Sequence, residues 1–281
     1  MPSRLNQAVL QAATVAYRQL GAVAPSRENY LLHRLTVIST TQLAPRVWRV
    51  KLGADSLREF QPMGPDEYFA AVLPRPGVPL QLPDPEVLQV ARAVARMPEA
   101  QRPDVRYYTV RHHRPEAGEI DVDVVTHDVG PGSRWVSTAQ PGDEIGFKEG
   151  SAGYRAPEGN GLQLVAADET SLPALMAIAD QVRGTPAAGW IKAFIEVEAA
   201  EVVGERPEGI NLTWVKRTER PGDALAEAIW ADPERGYTTA WLCAEGGAVA
   251  RLRKQLKAET RIDRRQVFSK GYWQQGRETQ H

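Results

Sequence analysis

This chain of 281 residues has a single cysteine, Cys243. One thiol excludes an internal disulfide framework and any metal site built from several cysteines. Cys243 lies in the apolar run Trp241-Leu242-Cys243-Ala244, which predicts a buried core thiol. The histidines, including the adjacent His112 and His113, show no metal-ligand spacing either. We therefore expect no metal ligand from the protein.

Neither sign of charge dominates, since 34 lysines and arginines balance 35 acidic residues. Such a chain has no global field for nucleic acid or for an anionic membrane surface. No apolar run reaches the roughly 18 residues that a membrane span requires. Near the N-terminus Leu5, Val9, Ala12, Ala16 and Leu20 recur at helical spacing with polar residues between them, which predicts an amphipathic helix and not a signal peptide. We expect a cytoplasmic protein without membrane insertion and without a nucleic-acid partner.

The first half of the chain follows a two-residue period. It predicts six strands, at Leu35–Ser39, Val47–Leu52, Tyr68–Leu73, Val105–His112, Glu119–Thr126 and Glu144–Lys148. Six strands separated by turns rich in proline and glycine predict a small antiparallel barrel. The insertion between Pro83 and Pro103 is helix-like in its middle, and we expect it to decorate the surface.

From about residue 161 strand and helix patterns alternate. Strands are predicted at Leu162–Ala167, Ile191–Val197, Leu212–Val215, Thr239–Cys243 and Gln266–Phe268. Helical patterns between them predict a mostly parallel α/β sheet covered on both faces. The expected organisation is a helical extension over residues 1–32, a barrel domain over residues 33–150 and an α/β domain over residues 151–281.

The hexapeptide Arg106-Tyr107-Tyr108-Thr109-Val110-Arg111 carries chemistry that suits a flavin. Alternation along a strand places Arg106 and Tyr108 on one face. A guanidinium clamps a phosphate, a tyrosine ring lies against an apolar ring system, and a threonine hydroxyl both donates and accepts hydrogen bonds. The same residues are common in ordinary strands, so the hexapeptide alone leaves both interpretations open.

A loop after the fifth predicted strand contains Gly130, Gly132 and Ser133, followed by Trp135. Glycine permits close backbone approach, and Ser133 is expected to cap a short helix through Ala139. The N-terminus of such a helix is a natural seat for a pyrophosphate. An ordinary turn with a core tryptophan explains the same residues.

A second loop, Asp168-Glu169-Thr170, follows the first parallel strand, at the end where open α/β sheets bind ligands. Asp168 or Thr170 is predicted to cap the next helix, and Pro173 fits its first turn. The two carboxylates are equally explained by the dipole of that helix. No G-x-G-x-x-G sequence is present, so the Rossmann fingerprint is absent.

Seven short motifs, taken in their order and spacing, resemble those of the siderophore-interacting protein family, which comprises flavin-dependent ferric-siderophore reductases related to ferredoxin reductases. The resemblance covers about residues 33–277. The motifs are Arg106-x-Tyr108-Thr109-x-Arg111, His127 with Gly130-Pro131-x-Ser133-x-Trp135, Pro141-Gly142-Asp143, Asp168-Glu169-Thr170-x-Leu172-Pro173-Ala174, Trp241-x-x-Ala244-Glu245, Leu252-Arg253-x-x-Leu256 and Gly271-Tyr272-Trp273-x-x-Gly276.

The resemblance implies FAD in the barrel and NADH or NADPH at the α/β domain. It implies that Arg106 holds the FAD pyrophosphate, and that Tyr108 and Thr109 act catalytically, Tyr108 on the flavin and Thr109 near flavin N5. The other implied cofactor contacts are Arg111, His127, Gly130, Gly132, Ser133, Trp135, Asp168, Glu169 and Thr170. Hydride passes to the flavin in this scheme, and reduction of Fe(III) loosens its hold by the siderophore, so that iron is released in the cytoplasm.

Ferric siderophores are often anionic, so we expect basic side chains around the opening above the flavin, which we call the basic mouth. Its candidates are Arg34, Arg46, Arg49, Arg261, Arg264, Arg265, Lys270 and Arg277. Lys270 is the best of them, and with Tyr272 and Trp273 it is expected to contact the substrate. Ala167 and Ala244 stand where the family usually has glycine, and we expect their methyl groups to crowd a nucleotide phosphate.

Two alternatives remain open. In the first alternative, the protein is a flavin reductase that passes electrons to another protein such as a ferredoxin. In the other it is a siderophore-binding protein of the same fold without nucleotide-driven turnover. The choice between NADH and NADPH and the class of siderophore also stay open.

Overall fold

A computed structural model describes residues 27–126, 130–157, 159–199 and 203–276. Within these ranges the chain forms two compact units, residues 27–152 and residues 153–276. The predicted helix between residues 5 and 20 lies outside the described residues, as do His127 and Arg277. None of the described helices is long and apolar enough to cross a membrane.

The first unit is built on an antiparallel sheet of seven strands. In chain order they are β1 (Leu32–Ala44), β2 (Val47–Gly53), β3 (Tyr68–Leu73), β4 (Asp104–Thr109), β5 (His112–Arg114), β6 (Glu119–Val125) and β7 (Glu144–Lys148). Their order in the sheet is β4-β3-β7-β1-β2-β6-β5.

This sheet has to curl, because its two edge strands are consecutive in the chain. Only Val110 and Arg111 separate β4 from β5, and such a link spans at most about 11 Å. In a flat sheet six strand spacings would separate the two edges by about 29 Å. The amides of Val110 and Arg111 bond to Glu67 O and Asp121 O, each at 2.8 Å. The predicted antiparallel barrel is confirmed as a curled half-barrel, with seven strands because the predicted strand Val105–His112 breaks at this link.

The inner face of the curled sheet holds the main core, in which the rings of Phe69 and Phe147 stack at 4.4 Å. The insertion forms the helix α1 (Val90–Ala95), and its Val90 and Val94 are buried against Val72 on the outer face. The expectation that the insertion merely decorates the surface is therefore wrong. Val72 points away from the main core and needs this cover.

The second unit is built on a parallel sheet of five strands. They are β8 (Leu162–Asp168), β9 (Ile191–Val197), β10 (Asn211–Lys216), β11 (Tyr237–Glu245) and β12 (Val267–Trp273), in the sheet order β10-β9-β8-β11-β12. The helices α3 (Leu172–Val182), α4 (Asp223–Ala231) and α5 (Gly246–Glu259) follow β8, β10 and β11.

The order of these strands creates a topological switch point. The chain steps outward from β8 to β9 and β10 and then returns to place β11 on the other side of β8. Ligands of open α/β sheets bind at the carboxyl ends of the strands that flank such a point. Gly222, with φ of 85°, is the N-cap residue of α4, and Asp223 follows it in the first turn.

Candidate functional site

The first candidate site lies on β4 and the helix that follows β6. Arg106 and Tyr108 are half-buried, whereas Thr109 is buried. The Nη1 atom of Arg106 donates to Val105 O at 2.6 Å, and the Tyr108 ring packs 6.3 Å from Phe69. Burial raises the pKa of the Tyr108 hydroxyl well above its usual value, although nearby Arg106 opposes this shift. The hydroxyl therefore stays protonated and available as a donor.

The helix α2 (Pro131–Thr138) begins directly against these side chains. A β-carbon on Gly132 would lie 2.1 Å from Tyr108 Oη and 4.0 Å from Arg106 Cγ, so a side chain at position 132 would force Tyr108 or the start of the helix to shift. Gly130 has open space around it and an extended backbone with φ of −177°. Of the two glycines, only Gly132 allows a neighbouring side chain, that of Tyr108, to approach the backbone closely.

The start of α2 differs from the prediction. Gly130 is the N-cap residue, no side chain caps the helix, and Pro131 opens it. Ser133 lies inside the first turn, so its predicted role as the cap is wrong. Proline fixes φ at a helical value and therefore starts the helix three residues earlier than a cap at Ser133 would. The positive end of the helix dipole remains beside Arg106 and Tyr108, where an anion would be stabilised.

A cleft of about 590 Å³ opens between α2 and the segment 74–80. Trp135 lines it and is largely buried, and its Nε1 atom has no hydrogen-bond partner among the described residues. A buried donor without a partner costs about 1–3 kcal/mol. Arg106 and Tyr108 are not among the residues that line this cleft, but they lie beside Gly132 at the start of the same helix. The cation, the aromatic ring and the unpartnered donor around α2 suit a large cofactor that carries both a ring system and phosphate. FAD has both.

Other predicted contacts have carboxylate partners within the first unit. Arg111 is buried, and its Nε atom lies 3.9 Å from Asp123 Oδ2. Arg49 forms two bonds to the same carboxylate, at 2.7 and 2.8 Å. Arg34 pairs with Glu144 at 2.6 Å. Because these arginines are paired with carboxylates, they contribute less positive charge to the expected basic mouth.

The second candidate site lies at the carboxyl ends of β8 and β11. Asp168 ends β8 and is almost fully buried. Its Oδ1 atom accepts from Thr170 N at 3.0 Å, and Ser171 completes a capping box around the short 3₁₀ turn Glu169–Ser171. The N-cap residue of α3 is Ser171, without a side-chain bond, so the prediction that Asp168 or Thr170 caps this helix is wrong because the turn comes between them. Burial, reinforced by the neighbouring Glu169, raises the pKa of Asp168 to about 6.

Trp273 and Arg217 complete this cluster. Trp273 Nε1 donates to Asp168 Oδ2 at 2.8 Å. The Arg217 guanidinium lies 5.7 Å from the centre of the Trp273 ring, and its two terminal nitrogens bond to the Glu169 carboxylate. Its Nε atom also lies 3.5 Å from Glu196 Oε2. Arg217 was missed by sequence reasoning, although it follows β10 at the same edge of the sheet as Asp168.

Glu245 ends β11 and caps α5. It accepts from Ala248 N at 2.7 Å and from Gln275 N at 3.2 Å. Although burial opposes the shift, these backbone bonds hold the pKa of Glu245 below its usual value. Ala167 and Ala244 are both buried in the unit. Their methyl groups lie in the interior, so the expected crowding of a nucleotide phosphate finds no support.

The predicted substrate contacts follow on β12. Lys270 pairs in register with Cys243, and Lys270, Tyr272 and Trp273 are all half-buried. Nearby, Arg265 is bound to Asp263 at 2.9 Å. Within the described ranges no group of three or more His, Cys, Asp or Glu side chains is arranged to hold a metal ion.

The curled antiparallel sheet and the doubly wound parallel sheet together define a ferredoxin-reductase-like protein. The ferredoxin-NADP⁺ reductase of Plasmodium falciparum has this fold, with a TM-score of 0.59 over 90% of this chain and 100% of that chain. The two sequences are only 13% identical, so this likeness shows the fold alone.

The sequence narrows this class to one family. Residues 36–153 match the siderophore-interacting FAD-binding domain, and residues 161–276 match the siderophore-interacting protein model. The chain therefore belongs to the siderophore-interacting protein family, and FAD is the cofactor of its first unit.

Two relatives illustrate the family. A siderophore utilization protein from T. fusca is 30% identical, with a TM-score of 0.71 over 90% of this chain and 96% of that chain. The NADPH-dependent ferric-chelate reductase of Escherichia coli is 26% identical over 88% of this chain and 94% of its own length.

Proposed function

We propose that this protein is an NAD(P)H-dependent ferric-siderophore reductase that frees iron as Fe(II) in the cytoplasm. The observation that carries the proposal is the contact of Gly132 with Tyr108, which leaves no room for a side chain where α2 meets Arg106. It lies inside the region that matches the siderophore-interacting FAD-binding domain. The function of the Escherichia coli relative supports the reaction class.

The residues of the first unit suit the binding of FAD. Arg106 and the start of α2 supply the positive charge that a pyrophosphate requires. Tyr108 supplies an aromatic surface and a hydroxyl that stays protonated, and Trp135 supplies a buried donor. Thr109 follows on the same strand and is the proposed partner near flavin N5. When bound, FAD would take two electrons from a nicotinamide nucleotide and pass them singly to Fe(III).

The carboxyl edge of the second unit is the proposed seat of the nucleotide. Asp168, Glu169 and Thr170 stand at the switch point, where such ligands bind. Asp168 holds Trp273, and Glu169 holds Arg217 beside the same ring. This network fixes an aromatic and a cation at the edge. The Escherichia coli relative is an NADPH-dependent ferric-chelate reductase, which favours NADPH as the donor.

Lys270 is the proposed substrate contact, with Tyr272 beside it. Lys270→Ala should raise KM for an anionic ferric chelate several-fold and leave the FAD content unchanged, because the attraction of the ammonium group for the substrate is removed. Lys257→Ala, at an exposed position of α5, is the matched control. A steady-state titration of the chelate decides, and an unchanged KM in the Lys270 variant contradicts the assignment.

An anaerobic absorbance spectrum tests the whole proposal. The purified protein should show a flavin band that NADPH or NADH bleaches and that a ferric siderophore restores. Bleaching without recovery would favour a protein acceptor such as a ferredoxin. A flavin that neither nucleotide bleaches would favour the siderophore-binding alternative. A protein that cannot be reconstituted with FAD would refute the roles given to Arg106, Tyr108 and Thr109.

A further inference from the structure

A separate cavity of about 330 Å³ lies in the second unit, at the amino ends of β8, β11 and β12. The edge that carries Asp168 is at the opposite end of the sheet. β8 has seven residues, so its two ends lie about 20 Å apart. The proposed reductase function does not use this cavity.

The register of the strands shows which side chains line it. Thr239 pairs with Gln163, and Trp241 pairs with Phe268. Paired residues share a face, and so do residues two apart on one strand, so all four lie on the same face of the sheet. The alternate residues lie on the other face, in the core with α4 and α5; they include Leu164, Ala240 and Leu242. A continuous row of polar and aromatic side chains therefore faces the cavity.

Two buried polar atoms on this face lack hydrogen-bond partners among the described residues. Gln163 is 2% exposed, and its Nε2 atom donates to Arg155 O at 2.8 Å, which fixes the orientation of the amide. Its Oε1 atom is buried with no hydrogen-bond partner among the described residues, and so is the Oγ1 atom of Thr239. An unsatisfied buried polar atom is costly, and such atoms in native structures indicate a ligand or water. Gln163 Oε1 only accepts, and the Thr239 hydroxyl accepts as well as donates, so a hydrogen-bond donor satisfies both.

The other residues that line the cavity have a different character. They include the aromatic residues Trp241 and Phe268 and the exposed cations Arg155 and Arg265. Because Arg265 is bound to Asp263, its attraction for an anion is moderate. The lining therefore combines buried polar atoms, aromatic rings and exposed cations.

We propose that this cavity binds a small aromatic acid that carries a hydrogen-bond donor opposite its carboxylate. The donor would bond to Gln163 Oε1 and Thr239 Oγ1, the ring would lie against Trp241 and Phe268, and the carboxylate would lie at Arg155. The volume falls at the small end of the range of ligand sites. The proposal does not depend on the reductase function.

The test uses two probes of nearly equal shape and charge, 4-hydroxybenzoate and 4-methylbenzoate. Binding to the purified flavoprotein is followed by ligand-observed NMR, without nucleotide or ferric siderophore. 4-Hydroxybenzoate should bind about ten-fold more tightly, because only it satisfies the buried acceptors. Thr239→Val, which replaces the hydroxyl by a methyl group, should weaken its binding by up to about ten-fold. Thr213→Val, on the exposed face of β10, should leave it unchanged.

Gln163→Leu should abolish the preference for 4-hydroxybenzoate. If this buried variant does not fold, the Thr239→Val series still decides, since that change suits a strand. Equal affinity for the two probes would overturn the proposal, because satisfaction of Gln163 and Thr239 by water alone predicts it. Absence of saturable binding below about 10 mM would overturn it as well. Neither outcome bears on the reduction of ferric siderophore.

Discussion

Gly132 offers the sharpest test of the proposed flavin site. In Gly132→Ala the new methyl group would lie 2.1 Å from Tyr108 Oη, which falls short of ordinary contact at 3.4 Å by about 1.3 Å. Overpacking of this kind costs about 1–3 kcal/mol. The helix preference of alanine over glycine offsets up to about 1 kcal/mol of that cost. We expect a net loss of about 1–2 kcal/mol of stability.

The same change should lower the FAD content, because the methyl group pushes Tyr108 or the start of α2 out of place. Denaturant unfolding measures the stability, and the ratio of flavin to protein absorbance measures the cofactor. Gly130→Ala is the control, since a β-carbon at Gly130 meets open space. Its cost should stay within the few tenths of a kcal/mol to about 1 kcal/mol expected at an N-cap, with FAD retained.

A double variant identifies the clash itself. With Tyr108→Phe the Oη atom is gone, and the next nearest atom, Cζ, lies 3.5 Å from the new β-carbon, an ordinary contact. Gly132→Ala combined with Tyr108→Phe should therefore recover most of the lost stability, as a positive coupling in a double-mutant cycle. A Gly132→Ala variant as stable and as rich in FAD as the wild type would refute this reasoning. So would a double variant no more stable than the single one.

Three further predictions concern buried charges. The raised pKa of Asp168, about 6, means that the folded protein loses stability as pH rises from about 4 to 6, so Asp168→Asn should flatten the pH dependence of unfolding there. Arg217→Ala leaves Glu169 buried without its partner and should cost about 3 kcal/mol in urea unfolding, recovered in part by adding Glu169→Gln. The pKa of Asp121 is lowered, since Arg114 and His112 outweigh burial, so Asp121→Asn should destabilise the protein at pH 7 and less so below pH 4.

One exposed position serves as the control for these three variants, and each variant has an outcome that would contradict its prediction. Asp55→Asn, at a fully exposed side chain, should change none of the unfolding curves. A pH dependence that persists unchanged in Asp168→Asn would show that another group causes it. Arg217→Ala with wild-type stability would mean that its bonds to Glu169 contribute nothing net. A constant deficit of Asp121→Asn across the pH range would point to packing and not to charge.

The sequence predicted best where the pattern is local. Tyr68–Leu73, Glu144–Lys148 and Ile191–Val197 begin and end where expected, because proline, glycine or polar residues flank each apolar run. The break at Val110 and Arg111 could not be read this way. Both residues suit a strand, and the break arises because the sheet closes on itself, which brings residues from distant parts of the chain together.

The buried insertion could have been predicted. β3 reads Tyr-Phe-Ala-Ala-Val-Leu, an apolar run without alternation, and five of its six residues are buried. A strand with two apolar faces requires cover on both. The insertion that forms α1 has an apolar helical face and supplies this cover, so its role follows from β3 and not from its own sequence.

At the candidate nucleotide edge, sequence motifs and tertiary contacts contribute differently. Asp168, Glu169 and Trp273 belong to motifs that are visible in the sequence. The hydrogen bond between Asp168 and Trp273 is not visible there, since the two residues are 105 positions apart. Arg217 belongs to no motif, yet it bonds to Glu169 and lies beside the ring of Trp273. A motif search therefore finds candidate site residues, whereas the bonds from Arg217 to Glu169 and from Trp273 to Asp168 emerge only when parallel strands bring their carboxyl ends together. The double variant of Arg217 and Glu169 measures this hidden part of the site.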